Sequence, residues 1–432
     1  MSRGLRVADL FSGAGGFSEG FRQAGYEVVA GSDIDPDACA TYALNFPEAR
    51  VINGDIRQAA VRGQVLEAVA GADVVVGGPP CQAFSQVRNH ARLMDDPRNS
   101  LYGEFVRIVG KAEPKAFVME NVPGLEQMGV KEQVIEDLAL HGAYRVKAQV
   151  LDAADFGVPQ TRQRIVFIGI HSSLAADPPL LRGSDAASAL FLERRNGSSR
   201  VRYEVRERIR LSGSLLGQLQ DPDDAAVVTA EQAIGDLSVL KAGDTRDVLG
   251  MGELLAASSA YQRRMRGGAG GTIANVNVPR INPDTRIRLS GLPPGGNVHD
   301  LPEDMTERYL TGALWGPHNG SGRLGRRHYY AYRRLHPGLW SWTLNTKADS
   351  VYHYKSRRAL CVREFARLQS FPDRFVFTTD PRRGPLPGRI EGGAGHSRYR
   401  QAGNAVPPLL ARSIAGALSR LLAAGGAARK TA

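Results

Sequence analysis

Residues 5–17 read Leu-Arg-Val-Ala-Asp-Leu-Phe-Ser-Gly-Ala-Gly-Gly-Phe. The apolar run 5–11 has strand length, and 12–16 is a tight turn rich in glycine. Residues 17–24 then take helical spacing and stop at Gly25, a residue suited to a left-handed helix cap. Strand, glycine turn and helix together have the form of a cofactor-binding unit at the start of an α/β sheet. Small residues let the backbone approach a ligand, and the first helical turn offers free N–H groups. The turn is not a phosphate loop, because no Gly-Lys-Ser/Thr follows it. Taken alone, such a turn is more often a purely structural strand-to-helix connection.

The pattern continues outward from that unit. Strands are expected over 27–30, 51–56, 72–76, 116–119 and 164–170, and helices over 36–44 and 101–111. Strands separated by helix-length segments predict a doubly wound, mostly parallel, Rossmann-like α/β sheet. The period fails near residue 172. From there to about 345 the chain is rich in Arg, Gly and Pro, with arginines at 194, 195, 200, 202, 206, 208 and 210. A second, smaller, irregular domain is expected there. Helical spacing resumes at 362–368 and 408–422, and 423–432 is expected to fray. The reading therefore divides the chain into 1–171, 172–345 and 346–432, the last returning to complete the first.

The chain has 432 residues, 42% of them hydrophobic, enough for one large core and a second domain. No apolar stretch is long enough to cross a bilayer, and the opening residues run straight into a strand, without the pattern of a signal peptide. Cys39, Cys81 and Cys361 are too few and too scattered for a disulfide framework or a zinc site, so no metal is expected. A reduced, cytoplasmic compartment follows. Lys and Arg number 55 against 44 Asp and Glu, a net charge of +11. That surplus suggests a polyanionic partner, although an arginine-rich proteome alone could produce it.

Two carboxylates follow the glycine turn. Asp33 falls just past the second strand, near where a ribose-binding acid belongs, and Asp55 just past the third, within reach of an adenine amino group. Either could instead cap a helix. Together with the turn they outline a pocket for an adenosine that needs no phosphate recognition, which suits S-adenosylmethionine. NAD is the rival, but Ser18 occupies the third position of a Gly-x-Gly-x-x-Gly pattern. Further on, Gly77-Gly-Pro-Pro-Cys-Gln82 follows the strand 72–76 and puts a thiol at its carboxyl end, where open α/β sheets carry out their chemistry. A small buried cysteine at a loop edge is the ordinary alternative.

At this point the chain resembles the C5-cytosine DNA methyltransferases. Asp9-Leu-Phe-Ser-Gly-Ala-Gly-Gly-Phe17 is similar to the family's cofactor motif, and Gly78-Pro-Pro-Cys-Gln82 to its nucleophile motif. Glu120-Asn-Val122 resembles the acid motif and Gln160-Thr-Arg-Gln-Arg164 the Gln-x-Arg-x-Arg motif. Arg363-Glu-Phe-Ala-Arg-Leu-Gln-Ser-Phe-Pro372 and Gln401-Ala-Gly-Asn-Ala-Val-Pro-Pro408 resemble the ninth and tenth. Six matches in order and spacing are far more specific than any one of them.

The resemblance implies S-adenosylmethionine contacts at Phe11, Gly13, Gly15, Asp33, Ile34, Asp55, Ile56, Leu101, Asn404 and Ala405. Asp33 stands where many members carry glutamate. It implies Cys81 as the nucleophile that adds to C6 of cytosine, making C5 nucleophilic. Glu120 would be the acid at N3, and Arg164, with Arg162 beside it, would hold O2. Taken singly, Glu120 could be a plain strand-end carboxylate and the two arginines phosphate clamps. The residue that removes the C5 proton is not identified; water could serve. The target base must leave the stack of double-stranded DNA. Gln82, Ser85 and the loop 86–98, with Arg98, are expected to close over it. Residues 172–345 lie where the family keeps its target-recognition domain. A monomer is expected, alongside a cognate restriction endonuclease that acts separately. The alternative is a tRNA cytosine-C5 methyltransferase, against which stands the absence of a Cys-Phe-Thr tripeptide. Thymidylate synthase-like chemistry would not need the cofactor loop, and a non-catalytic relative would not keep both Cys81 and Glu120.

Overall fold

The computed structural model describes residues 4–80, 100–127, 129–184, 227–302, 305, 332–383 and 397–428. A seven-stranded sheet organises them: β1 (Arg6–Leu10), β2 (Glu27–Asp33), β3 (Arg50–Asn53), β4 (Val74–Gly77), β5 (Ala116–Asn121), β6 (Tyr144–Asp152) and β7 (Gln163–His171). Their order across the sheet is β3-β2-β1-β4-β5-β7-β6. The first five are parallel, with Leu10 in register with Gly77 and Gly77 with Met119. Between β1 and β4 the strand order reverses, which opens a crevice at the carboxyl ends of these strands.

The apolar strands have no polar face because both sides are covered. Val74 and Val76 point into one core cluster and Val75 into the other, as the two-residue pleat requires. On one side lie α1 (Gly16–Gln23) and α2 (Pro36–Asn45). On the other lie α3 (Ala59–Val69), α4 (Ser100–Ala112), the short α5 (Gly124–Gln127) and α6 (Lys131–Leu138).

The expectation of a mostly parallel sheet holds, with one difference at its edge. β7 runs antiparallel to both β5 and β6. β6 escaped the sequence reading because it is an edge strand whose central residues are only half-buried, so its alternation is weak.

Beyond residue 172 the sequence showed little period, yet the described part of that region is built. It holds α7 (Ala230–Ile234), a hairpin of β8 (Val248–Gly250) and β9 (Thr272–Ala274), α8 (Ala260–Arg266) and α9 (Pro283–Gly291). These elements are too short to announce themselves by periodicity. Side chains from the following segment hold them instead. Buried Arg367 pairs with Asp236 at 2.5 Å and with Asp373 at 2.7 Å, and Tyr261 donates to the Arg367 carbonyl. Ala230, Ile234, Tyr261 and Met265 share a core cluster with Phe365 of α10 (Val362–Leu368) and Tyr399 of α11 (Ser397–Asn404). The arginine-rich run 194–210 lies outside the described residues.

The chain ends in α12 (Pro408–Ala428), packed along α1. A Cβ on Gly16 would stand 2.1 Å from the Val406 carbonyl oxygen, and one on Gly20 2.4 Å from that of Pro408. Glycine at these two places lets the C-terminal helix reach the cofactor turn. Among the described residues no helix is long and apolar enough to cross a membrane, and no cluster of His, Cys, Asp and Glu suits a metal ion.

Candidate active site

A cavity of about 550 Å³ opens at the carboxyl end of the sheet. Its wall contains every residue expected at the cofactor except one: Phe11, Gly13, Asp33, Ile34, Asp55, Ile56, Leu101, Asn404 and Ala405, with Glu120, Arg162 and Arg164. The exception is Gly15. It adopts φ 98° ahead of α1, and its Cα faces Phe46 and Tyr42, where a Cβ would come within 2.5 Å of the Phe46 ring. Gly15 therefore shapes the turn from below and does not line the cavity. Cys81, Gln82, Ser85 and Arg98 lie outside the described residues. The chain reaches the cavity wall at Pro79 and Pro80, immediately before Cys81.

The turn after β1 is held by Asp33, whose two carboxylate oxygens accept from Gly13 N and Asp35 N, each at 2.8 Å. Burial pushes the Asp33 carboxyl above its ordinary range, and these N–H bonds oppose the shift. Ile34 follows with 63% of its surface exposed, an apolar face open to the cavity. Asp55 is engaged by Arg57 through a contact of 2.6 Å, which holds it below the usual carboxylate range.

On the opposite side Glu120 pairs with Arg164, Oε1 to Nε at 2.6 Å. Gly78 leaves room for that carboxylate: a Cβ there would lie 3.1 Å from Glu120 Oε2. Asn121 donates to the Pro79 carbonyl at 3.1 Å, tying the end of β5 to the segment that leads into Cys81. Arg162 is buried, and its guanidinium donates to the carbonyls of Leu344 and Asn404 at 3.4 and 3.3 Å. Burial first, and Arg164 second, press its pKa well below the ordinary value.

Four buried polar atoms in this wall have no partner among the described residues: Asp9 Oδ1, Ser12 Oγ, Arg162 Nε and Gln401 Oε1. Native interiors seldom leave such atoms unpaired, and a ligand is the natural partner. The other oxygen of Asp9 accepts from Ser18 Oγ, and burial raises its pKa to about 7, opposed by the hydrogen bonds from Ser18. Sequence reading passed over Asp9, although a carboxylate inside an otherwise apolar strand was the available signal. Gln401 and Arg400 were quoted or adjacent to a quoted motif, but nothing in local pattern placed them in the wall.

The chain matches the family model described as C-5 cytosine-specific DNA methylase over residues 5–237 and 318–420. It is 33% identical to the type II methyltransferase M1.HphI of Haemophilus parahaemolyticus, covering 96% of this chain and 87% of the relative. Against M.DdeI of Desulfomicrobium norvegicum it is 32% identical, with 96% and 88% covered. Among solved structures, an E. coli prophage-encoded protein described as a DNA modification methyltransferase aligns with a TM-score of 0.66 at 24% identity, covering 97% of this chain and 99% of the other. That likeness speaks to the fold.

Proposed function

This chain belongs to the C-5 cytosine-specific DNA methylase family and is a DNA (cytosine-5-)-methyltransferase; from that premise we propose that it flips a cytosine out of duplex DNA at one specific sequence and methylates C5 through a covalent Cys81–C6 bond. The single observation that carries the reading is the shared cavity. One wall has the form of an adenosine site, the other presents the Glu120–Arg164 pair, and Pro80 leads from it into Cys81.

Methyltransferases of this family use S-adenosylmethionine, which when bound supplies an electrophilic methyl group. The residues present fit it. Ile34 offers an apolar face to a base, Asp33 fixes the turn and keeps lone pairs for a ribose, and Asp9 Oδ1 can accept from a cationic amine. Arg57 donates to both oxygens of Asp55, so an adenine amino group would share that carboxylate with it. Leu101, Ile56 and Phe11 supply apolar wall.

In the proposed reaction the Cys81 thiolate forms a bond to C6, and the ring's 5,6 electron pair moves to C5. Glu120 holds N3 and Arg164 holds O2, where negative charge develops. C5 takes the methyl group as the donor's methyl–sulfur bond breaks, its electron pair staying with the departing thioether. A base, water in this reading, then removes the C5 proton, and the C6–S bond breaks to release thiolate. Arg162 ties the Leu344 and Asn404 segments together beside the strand that carries Arg164. We assign target reading to 172–345, catalysis to 1–171 with 346–432, and gap closure to the segment holding Gln82, Ser85 and Arg98. The relatives are type II methyltransferases, which supports a restriction-modification role for a cytoplasmic monomer with a separately acting endonuclease. The same relatives favour DNA over the tRNA alternative.

The test is bisulfite sequencing of host DNA after expression, with Cys81→Ser as control, which gives activity and target together. A duplex carrying 5-fluorocytosine should trap a complex that survives denaturing electrophoresis; no trapped complex with an active protein would refute the covalent step.

A further inference from the structure

Two adjacent buried side chains, Gln369 and Ser370, grip both ends of one short stretch of the cavity wall. That stretch, residues 404–407, links α11 to α12 and contributes Asn404, Ala405 and Val406 to the cavity. At its start, Gln369 Nε2 donates to the carbonyls of Ala402 and Gly403 at 2.8 and 3.3 Å, satisfying the last turn of α11. At its end, Ser370 Oγ accepts from Leu409 N at 3.0 Å, satisfying the first turn of α12. Ser370 does this with φ 68°, a left-handed conformation that a non-glycine residue adopts at a cost. Such an outlier persists only where surrounding structure over-determines it.

The grip extends to the base side. Gln369 Oε1 accepts from Gln160 Nε2 at 2.9 Å, and Gln160 Oε1 accepts from Leu344 N at 2.8 Å. Arg162 donates to Leu344 O and to Asn404 O. A closed ring thus runs from Arg162 through Leu344, Gln160 and Gln369 to residues 402–404 and back to Arg162. Its close fit is visible at Gly403, where a Cβ would meet the Asn345 carbonyl oxygen at 2.0 Å.

We propose that Gln369 and Ser370 are positioning residues for the methyl donor. They set the 404–407 link against the cofactor turn and, through Gln160, fix it relative to Arg162. The assignment rests on the reading that this cavity holds the donor. Neither residue lines the cavity, so each acts on the donor only through the link.

The experiment is calorimetric titration of the full-length protein with S-adenosylhomocysteine, comparing wild type with Gln369→Leu, Ser370→Ala and a control, Val134→Ala. Val134 is buried in the core cluster on the other sheet face. Apparent affinity falls in proportion to the fraction of molecules whose link is in place. Gln369→Leu is expected to bind about tenfold more weakly, the result of a link in place in roughly one molecule in ten. Ser370→Ala should bind several-fold more weakly. Val134→Ala should lower Tm while keeping the wild-type Kd, and binding to a generic duplex should be unchanged in all three. Wild-type Kd in both link variants, or equal weakening in Val134→Ala, overturns the assignment. If Gln369→Leu does not fold, Ser370→Ala decides alone. If wild type itself does not bind the ligand, the donor reading of the cavity falls first and this assignment with it.

Discussion

Replacing Asp9 by asparagine should stabilise the ligand-free protein increasingly as pH rises. Asp9 is 1% exposed, carries an unpartnered Oδ1, and has its pKa raised from the ordinary 3.8 to about 7, mainly by burial and slightly by the charge of Asp33. Between about pH 4 and pH 7 the folded protein holds a proton that the unfolded chain has released. Stability therefore falls as pH rises through that window and levels off above it. The full displacement corresponds to about 4 kcal/mol, of which about 3 kcal/mol accrues between pH 5 and pH 8. The introduced amide oxygen would still accept from Ser18 Oγ, but the amide N–H would lack a partner, costing about 1–3 kcal/mol at every pH. The net gain at pH 8 is thus about 1–3 kcal/mol, and at pH 5 the variant is at or below wild type. Urea denaturation of both proteins at pH 5, 6, 7 and 8 measures the swing. A difference between variant and wild type that stays constant across the series, to within about 0.5 kcal/mol, would refute the assignment of a buried titrating carboxylate at this place. The same variant should bind S-adenosylhomocysteine about tenfold more weakly, from loss of one charge-assisted hydrogen bond.

Other consequences follow from the same geometry. Glu120→Gln should lower kcat by roughly 10²–10⁴-fold, with S-adenosylhomocysteine affinity within about twofold of wild type, in single-turnover methylation and calorimetry. Gly403→Ala must move α11 or the chain at Asn345, since the new Cβ would stand 2.0 Å from a carbonyl oxygen. About 1–3 kcal/mol of stability should be lost, with weakened donor binding. Arg367→Met leaves Asp236 and Asp373 without their shared guanidinium in a dry interior, and chemical denaturation should show a loss of about 3–5 kcal/mol.

Much of the fold was legible locally. The strand, glycine turn and helix at 6–23 were readable because period and turn chemistry agree within a single short stretch. α10 came out at Val362–Leu368, the span its helical spacing predicts. β6 was not legible, because an edge strand needs no strong alternation. The short helices after residue 227 were not, because their stability comes from Arg367 and the shared core rather than from their own sequence. Gly15 shows the same limit at the site. Its place in a glycine motif suggested a ligand contact; the structure adds a packing reason for glycine there, since a Cβ would strike the rings of Phe46 and Tyr42.

By itself the sequence determined the alternation of strands and helices in the first part of the chain, the mostly parallel sheet, the family, and which residue types gather near the cofactor turn. Those properties follow from near-neighbour patterns and from motifs whose chemistry tolerates few substitutes. Tertiary structure alone decided that Asp9 would be dry with one oxygen lacking a partner among the described residues, that Glu120 would pair with Arg164, and that Gln160, Gln369 and Ser370 would clamp a wall contributed by residues far further along the chain than the first of them. Hydrogen-bond partners so distant in sequence are set by how elements pack. No local periodicity encodes the burial that gives those bonds their strength.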